Sequence, residues 1–167
     1  HTVGCIIPTL DHAIFARCTH ALQTTLGRAG YQLLVASHEY QPESEFDILR
    51  VMQQRGVDAM VLVGTDHSAA LWRAATEWGR PVLLTWSCDK RLPSIGFDNR
   101  AAGTAVAQHL LDLGHRRLGV ISGLTSHNDR ARARIEGVRH AMRRAGLRLE
   151  PHLVCEQVFT LAGGRAG

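Results

Sequence analysis

The sequence predicts an α/β protein in which a doubly wound parallel sheet is covered by helices on both faces. Three observations carry that prediction. Short runs rich in Val, Ile and Leu alternate with longer stretches in which apolar residues recur at helical spacing. A glycine closes most of those stretches, at Gly30, Gly56, Gly79, Gly114 and Gly146. At least one strand run, Ala59 to Val63, is apolar throughout, the composition of a strand buried on both faces.

The first strand is Val3 to Ile7, ended by Pro8. A helix is expected from about Ala13 to Ala29, with Asp11 as candidate cap and Ile14, Phe15, Cys18, Leu22, Thr25 and Leu26 as its buried stripe. Tyr31 to Ala36 is the second strand. Pro42 opens the next helix, in which Phe46, Leu49 and Met52 share a face. After the strand Ala59 to Val63 come the turn Gly64-Thr65-Asp66, a helix marked by Leu71, Ala74, Ala75 and Trp78, and the strand Pro81 to Thr85. Ser94 to Phe97 is a short fifth strand.

The clearest helix is Asn99 to Leu113, with Ala102, Ala105, Val106, His109, Leu110 and Leu113 as one stripe and Asp98 or Asn99 as cap. Arg117 to Ile121 is another strand. The following helix has Ile135, Val138, Met142 and Ala145 on its core side, and Leu153 to Phe159 is one more strand. Leu161 to Gly167 reads as the start of a further helix. Because a crossover helix should cover the preceding strand, the chain is expected to be part of a longer one.

Length and composition bound the function. With 167 residues and 45% hydrophobic content, the chain suits one sizeable domain or two small lobes. No apolar run is long enough to span a membrane, and the N-terminus lacks the basic, apolar and small-residue order of a signal peptide. The formal net charge of +4 is too mild to imply nucleic-acid binding, and its excess comes mostly from arginines in the second half. Cys5, Cys18, Cys88 and Cys155 show no zinc-site spacing and read as buried free thiols in a reducing compartment. His12, His38, His67, His115 and His127 lack helical ligand spacing with a carboxylate partner, and read as surface or loop residues rather than metal ligands. There is no nucleophile elbow, no phosphate-binding loop and no dinucleotide fingerprint, so neither enzyme nor cofactor is expected.

One stretch suggests a binding site. Asn128 to Gly137 packs Arg130, Arg132 and Arg134 into five residues at a helix start, where Asn128 or Asp129 would cap and the free amides favour anions. On a helix Arg130 and Arg134 share a side with Gly137 nearby, while Arg132 falls elsewhere and is placed to pair with Glu136. Two guanidinium forks would suit a carboxylate, a phosphate or sugar hydroxyls, and a solvated basic face is the plain alternative. In an open parallel sheet, ligands lie beyond the carboxyl ends of the strands. That edge includes Phe15, Thr65, Trp86 and the arginine stretch. Phe15 and Trp86 are placed either to stack on a sugar ring or to pack in the core.

Several segments then carry a resemblance. Ile95-Gly96-Phe97-Asp98-Asn99-Arg100-Ala101-Ala102-Gly103 and His109-Leu110-Leu111-Asp112-Leu113-Gly114-His115-Arg116-Arg117-Leu118-Gly119 are similar to the effector-binding domain of LacI/GalR-type transcriptional regulators. Pro8, Ala29-Gly30-Tyr31, Arg55-Gly56-Val57-Asp58-Ala59, Arg80-Pro81-Val82 and Arg134-Ile135-Glu136-Gly137 agree in order, so the resemblance covers essentially the whole chain.

The resemblance implies two lobes of periplasmic-binding-protein type I fold, with a sugar or other small metabolite in the cleft. Residues 1 to 97 would be most of the amino-terminal lobe and 98 to 167 part of the other. The family's effector-contacting arginine corresponds to Arg134, and its cleft aromatics to Ile14 and Phe15, the first of which is aliphatic here. The expected contacts are Ile14, Phe15, Thr65, Trp86, Asn128, Arg130 and Arg134. The resemblance further implies a cytoplasmic homodimeric repressor that reads operator DNA through a helix-turn-helix outside these residues. A periplasmic solute-binding protein for carbohydrate transport is the alternative.

Overall fold

A computed structural model describes all residues from His1 to Gly167 and divides into two compact units, His1–Gly96 and Phe97–Gly167. In unit 1 the order is β1 (Thr2–Ile7), α1 (Ala13–Arg28), β2 (Gln32–Ser37), α2 (Pro42–Gln54), β3 (Ala59–Val63), α3 (Ala69–Thr76), β4 (Val82–Trp86) and β5 (Ser94–Gly96). Its five strands lie in the order β2-β1-β3-β4-β5, every neighbouring pair parallel.

The period-two alternation of the strands sorts their side chains between two cores. Val3, Cys5 and Ile7 of β1 and Val61 and Val63 of β3 pack with Phe15, Leu22 and Leu26 of α1. Ile6, Met60 and Leu62 point the other way, onto Leu49 and Met52 of α2 and Leu71, Trp72 and Ala75 of α3. The winding therefore reverses between β1 and β3, and the loops at their carboxyl ends diverge there.

Unit 2 contains α4 (Asn99–Asp112), β6 (Val120–Gly123), α5 (Asp129–Arg144), a 3-10 turn at Pro151–Leu153, β7 (Val154–Gln157) and α6 (Leu161–Ala166). Its sheet is the parallel pair β6-β7. Ala107, Leu111, Leu118, Ile135, Ala141, Met142 and Leu149 form its core.

The α/β class and the parallel pairing agree with the sequence reading, whereas several helix faces do not. In α1 the stripe runs through Phe15, Leu22 and Leu26, while Ile14 is 51% exposed and Thr25 is exposed. The N-cap position is His12, without a side-chain cap bond, and Asp11 lies outside. In α3 it is Trp72 that is buried, and Trp78 falls beyond the helix end.

The face of α4 is also rotated. Val106 and Leu113, expected inside, are 63% and 64% exposed, and the buried ladder is Asn99, Gly103, Ala107 and Leu111. The reason is close helix contact. A Cβ on Gly103 would run into the Arg134 carbonyl, and one on Gly137 into the Arg100 carbonyl, so the two backbones touch where bulk was expected. Thr104 Oγ1 donates across this contact to the Gly137 carbonyl, at 3.2 Å. Of the expected α5 core residues, Ile135 and Met142 are buried and Ala145 is exposed.

Candidate functional site

Unit 1 presents its candidate residues at the carboxyl edge of the sheet. Phe15, in the first turn of α1, is buried against β1 and β3, and meets Trp86 edge to face with ring centroids 5.6 Å apart. The two aromatics are thus brought together at the edge, and Trp86 is the more accessible of the pair. Trp86 ends β4 with φ of 72°, in the left-handed region that costs a bulky residue about 1–3 kcal/mol. That strain turns the indole out of the strand's alternation.

His12 stacks on Phe15 at 6.0 Å and lies 6.5 Å from Tyr40, itself at φ of 59°. Neither His12 nor Tyr40 was singled out as a ring partner from the sequence, because the two loops are joined only by the strand order. Thr65 is half-buried in the loop after β3, and Ile14 stands exposed beside Phe15.

Unit 2 presents the start of α5. Asn128 is the cap: its Oδ1 accepts from the Ala131 amide at 3.2 Å, and its Nδ2 donates to the Leu124 carbonyl at 3.2 Å. The preceding His127 has φ of 52°, a tight turn into the helix. The loop is held from β7, where the Glu156 carboxylate accepts from the Thr125 amide and hydroxyl, each at 2.8 Å.

The three arginines separate into different roles. Arg130 is only 7% exposed, and its guanidinium pairs with Asp129 at 2.7 Å. Buried and paired, Arg130 is not the second exposed fork beside Arg134 that the helical spacing suggests. Arg132 donates to the Thr125 carbonyl at 2.6 Å, and Glu136 pairs with Arg139, so the expected Arg132 to Glu136 pair gives way to these partners. Arg134 is exposed and donates to Asn99 Oδ1 at 2.7 Å. Asn99 is buried at the first turn of α4, where Asp98 is the cap and accepts from the Ala101 amide at 2.9 Å. Residues 35 positions apart meet here because the glycines bring α4 against α5.

All four cysteines are free; Cys5 is buried, Cys18 and Cys155 are half-buried, and Cys88 is exposed, so the expectation of buried thiols holds fully only for Cys5. No group of three His, Cys, Asp or Glu residues is arranged to hold a metal ion. No helix is long and apolar enough to cross a membrane.

Residues 1–160 match the family model described as periplasmic binding proteins and sugar binding domain of LacI family. The chain belongs to this family. Among its relatives are the HTH-type transcriptional repressor PurR of Haemophilus influenzae, 25% identical over 95% of this chain and 47% of that protein, and the HTH-type transcriptional regulator GntR of Pseudomonas aeruginosa, 30% identical over 87% and 43%. This LacI-family chain spans about half the length of the curated relatives it matches.

Solved structures agree in fold. A LacI family transcriptional regulator from Silicibacter pomeroyi superposes with a TM-score of 0.85 at 28% identity, covering 93% of this chain and 58% of that one. The Cra transcriptional dual regulator of Pseudomonas putida, in complex with fructose 1-phosphate, gives 0.81 at 25% identity over 99% and 61%. The two-unit parallel α/β architecture is therefore that of the type I periplasmic-binding-protein-like domains of LacI regulators.

Proposed function

We propose that this chain is the effector-sensing part of a LacI-type transcriptional regulator, most simply a repressor, that responds to a sugar or sugar acid. Unit 1 and unit 2 are its two lobes. On unit 1 the candidate contacts are Trp86, Phe15 and Ile14, with Thr65 in the loop after β3. On unit 2 they are Arg134 and the start of α5 capped by Asn128. Arg130 supports that helix start from within instead of touching the ligand.

The observation that carries this reading is the setting of Arg134. It is exposed in the second turn of a capped helix, and the bond to buried Asn99 fixes where its fork points. A guanidinium held in that way is preorganised for hydroxyls or an acid group. Relatives that carry a helix-turn-helix, and a structural neighbour holding a sugar phosphate, support a regulator over a transport protein. In the proposed action, the effector binds two arrangements of the regulator unequally and shifts a homodimer that holds operator DNA through a segment outside these residues, in the cytoplasm.

Calorimetry of the full-length protein against sugars, sugar acids and sugar phosphates tests the proposal. Arg134→Ala is expected to weaken the best ligand by at least about tenfold, the loss of one charged hydrogen bond of roughly 1.5–3 kcal/mol. Unchanged affinity would remove Arg134 from the site.

A further inference from the structure

The interior of unit 1 encloses a charged cluster that the proposed function does not use. Glu45, in the first turn of α2, is 2% exposed, and its carboxylate lies between two imidazoles. His67 Nδ1 is 3.0 Å from Oε2, and His38 Nε2 is 3.8 Å from Oε1. Both rings are enclosed, with 2% and 8% of their side-chain surface exposed, so these two histidines lie in loops, as the sequence allows, but not at the surface. A carboxylate buried in this way costs several kcal/mol unless a positive partner compensates it.

The second nitrogen of His67 identifies that partner. Nε2 is 3.1 Å from the Gly64 carbonyl. Carbonyl and ionised carboxylate oxygens only accept, so His67 satisfies both neighbours when both ring nitrogens carry hydrogen. A neutral ring would turn a lone pair toward one of the two acceptors. His38, at 3.8 Å, is beyond hydrogen-bond range of Glu45 but within reach of an ion pair once protonated.

The three residues belong to separate segments. His38 follows β2, Glu45 opens α2, and His67 lies between β3 and α3. We propose that His67 and Glu45 form a buried imidazolium–carboxylate pair, with His38 beside it, which latches the loop after β3 to the start of α2 and so to the loop after β2.

The surroundings of the latch are mixed in charge. From α3, uncharged Trp72 meets the His67 ring edge-on at 5.2 Å. The loop between β4 and β5 brings Asp89, whose carboxyl is held down to about 2, chiefly by hydrogen bonds from Arg91 and in smaller part by the positive charge of His67. Arg91 itself lies 3.5 Å over the Trp72 ring and is bound to Asp89, so the two charges largely offset. Tyr40 meets His38 edge-on at 6.2 Å, and Asp66 is the adjoining charge in the loop of His67.

Nitrogen NMR of the imidazoles in this chain, together with hydrogen exchange of the loop amides, tests the latch. The expected result is a His67 ring carrying hydrogen on both nitrogens, with the amides of Gly64 to His67 and His38 to Gln41 protected from exchange together. Glu45→Gln is expected to speed exchange in both loops by about tenfold or more, since breaking a buried pair at one partner is strongly destabilising. A neutral His67 ring, or loops that exchange independently of one another, would overturn the proposal. Both readouts come from the unsubstituted chain, so they hold even if the variant fails to fold.

Discussion

Unit 1 and unit 2 cover their parallel strands by different means. In unit 1, large apolar side chains alternate on β1 and β3 and fill both faces, against α1 on one side and α2 and α3 on the other. In unit 2, the closest packing is between helices that meet at glycine, with Gly103 and Gly137 letting α4 and α5 touch backbone to backbone. Charge follows the same division, with eleven arginines against six carboxylates in residues 97–167, and eight basic residues against nine acidic ones before them. Bulk organises the first unit. Close approach and arginine pairing organise the second.

The largest effect that would break this contrast lies at the glycine crossing. A Val at Gly137 would drive its side chain into the Arg100 carbonyl and the Thr104 amide, neither of which can rotate away. We expect a loss of about 3 kcal/mol or more, the upper end of overpacking costs, because the obstacle is backbone. Gly27→Ala is the control. Its Cβ would meet nothing within 4 Å in the last turns of α1, and the gain expected is about 0.4–1 kcal/mol. Urea unfolding of both variants measures the difference, and equal behaviour would refute the helix-contact account of α4.

A second, smaller contrast lies within unit 2, between Arg130 and Arg134. Removing the buried partner of Asp129 leaves a poorly solvated carboxylate, so Arg130→Ala is expected to cost about 2–4 kcal/mol of stability. Arg134 is exposed and bonded to a neutral amide. Arg134→Ala is expected to cost under about 1 kcal/mol of stability while lowering effector affinity as described above. Chemical denaturation run beside calorimetry separates the two. If Arg130→Ala weakened binding at full stability, the division of roles would be reversed.

The same contrast explains how far the sequence was legible. Strands and helix ends were readable because β-branched runs, closing glycines and the cap at Asn128 act locally. The position of Phe15 and Trp86 at the carboxyl edge of the sheet in unit 1 is what the rule for parallel sheets implies, and the place of Arg134 on α5 is what family register implies. What escaped depends on partners distant in the chain. The inward face of α4 escapes a count of apolar bulk because Gly103 and Ala107 make the contact. Arg130 looked like the twin of Arg134 because helical spacing sets a face but not its depth. His38, Glu45 and His67 carry no shared spacing, and only the order of β2, β1 and β3 brings them together.

The smallest effect at ordinary pH compares two thiols on strands of the two units. Cys5, on β1, is sealed between β3 and α1, and burial, with Cys18 nearby, pushes its thiol from 9.0 up to about 12. Cys155, on β7 of the two-stranded sheet, is half-buried. A three-unit rise cuts the thiolate fraction about a thousandfold, before access is counted, so iodoacetamide at pH 8 is expected to label Cys88 first, then Cys155, and to spare Cys5. The linkage has a definite sign: the unfolded thiol ionises from about 9, so folding loses this contribution as pH rises from there toward about 12. Mass spectrometry of timed alkylation reads the order directly. Early labelling of Cys5 in folded protein would mean that the sheet of unit 1 opens more readily than its packing implies, and would erase the distinction between a bulk-filled and a glycine-joined unit.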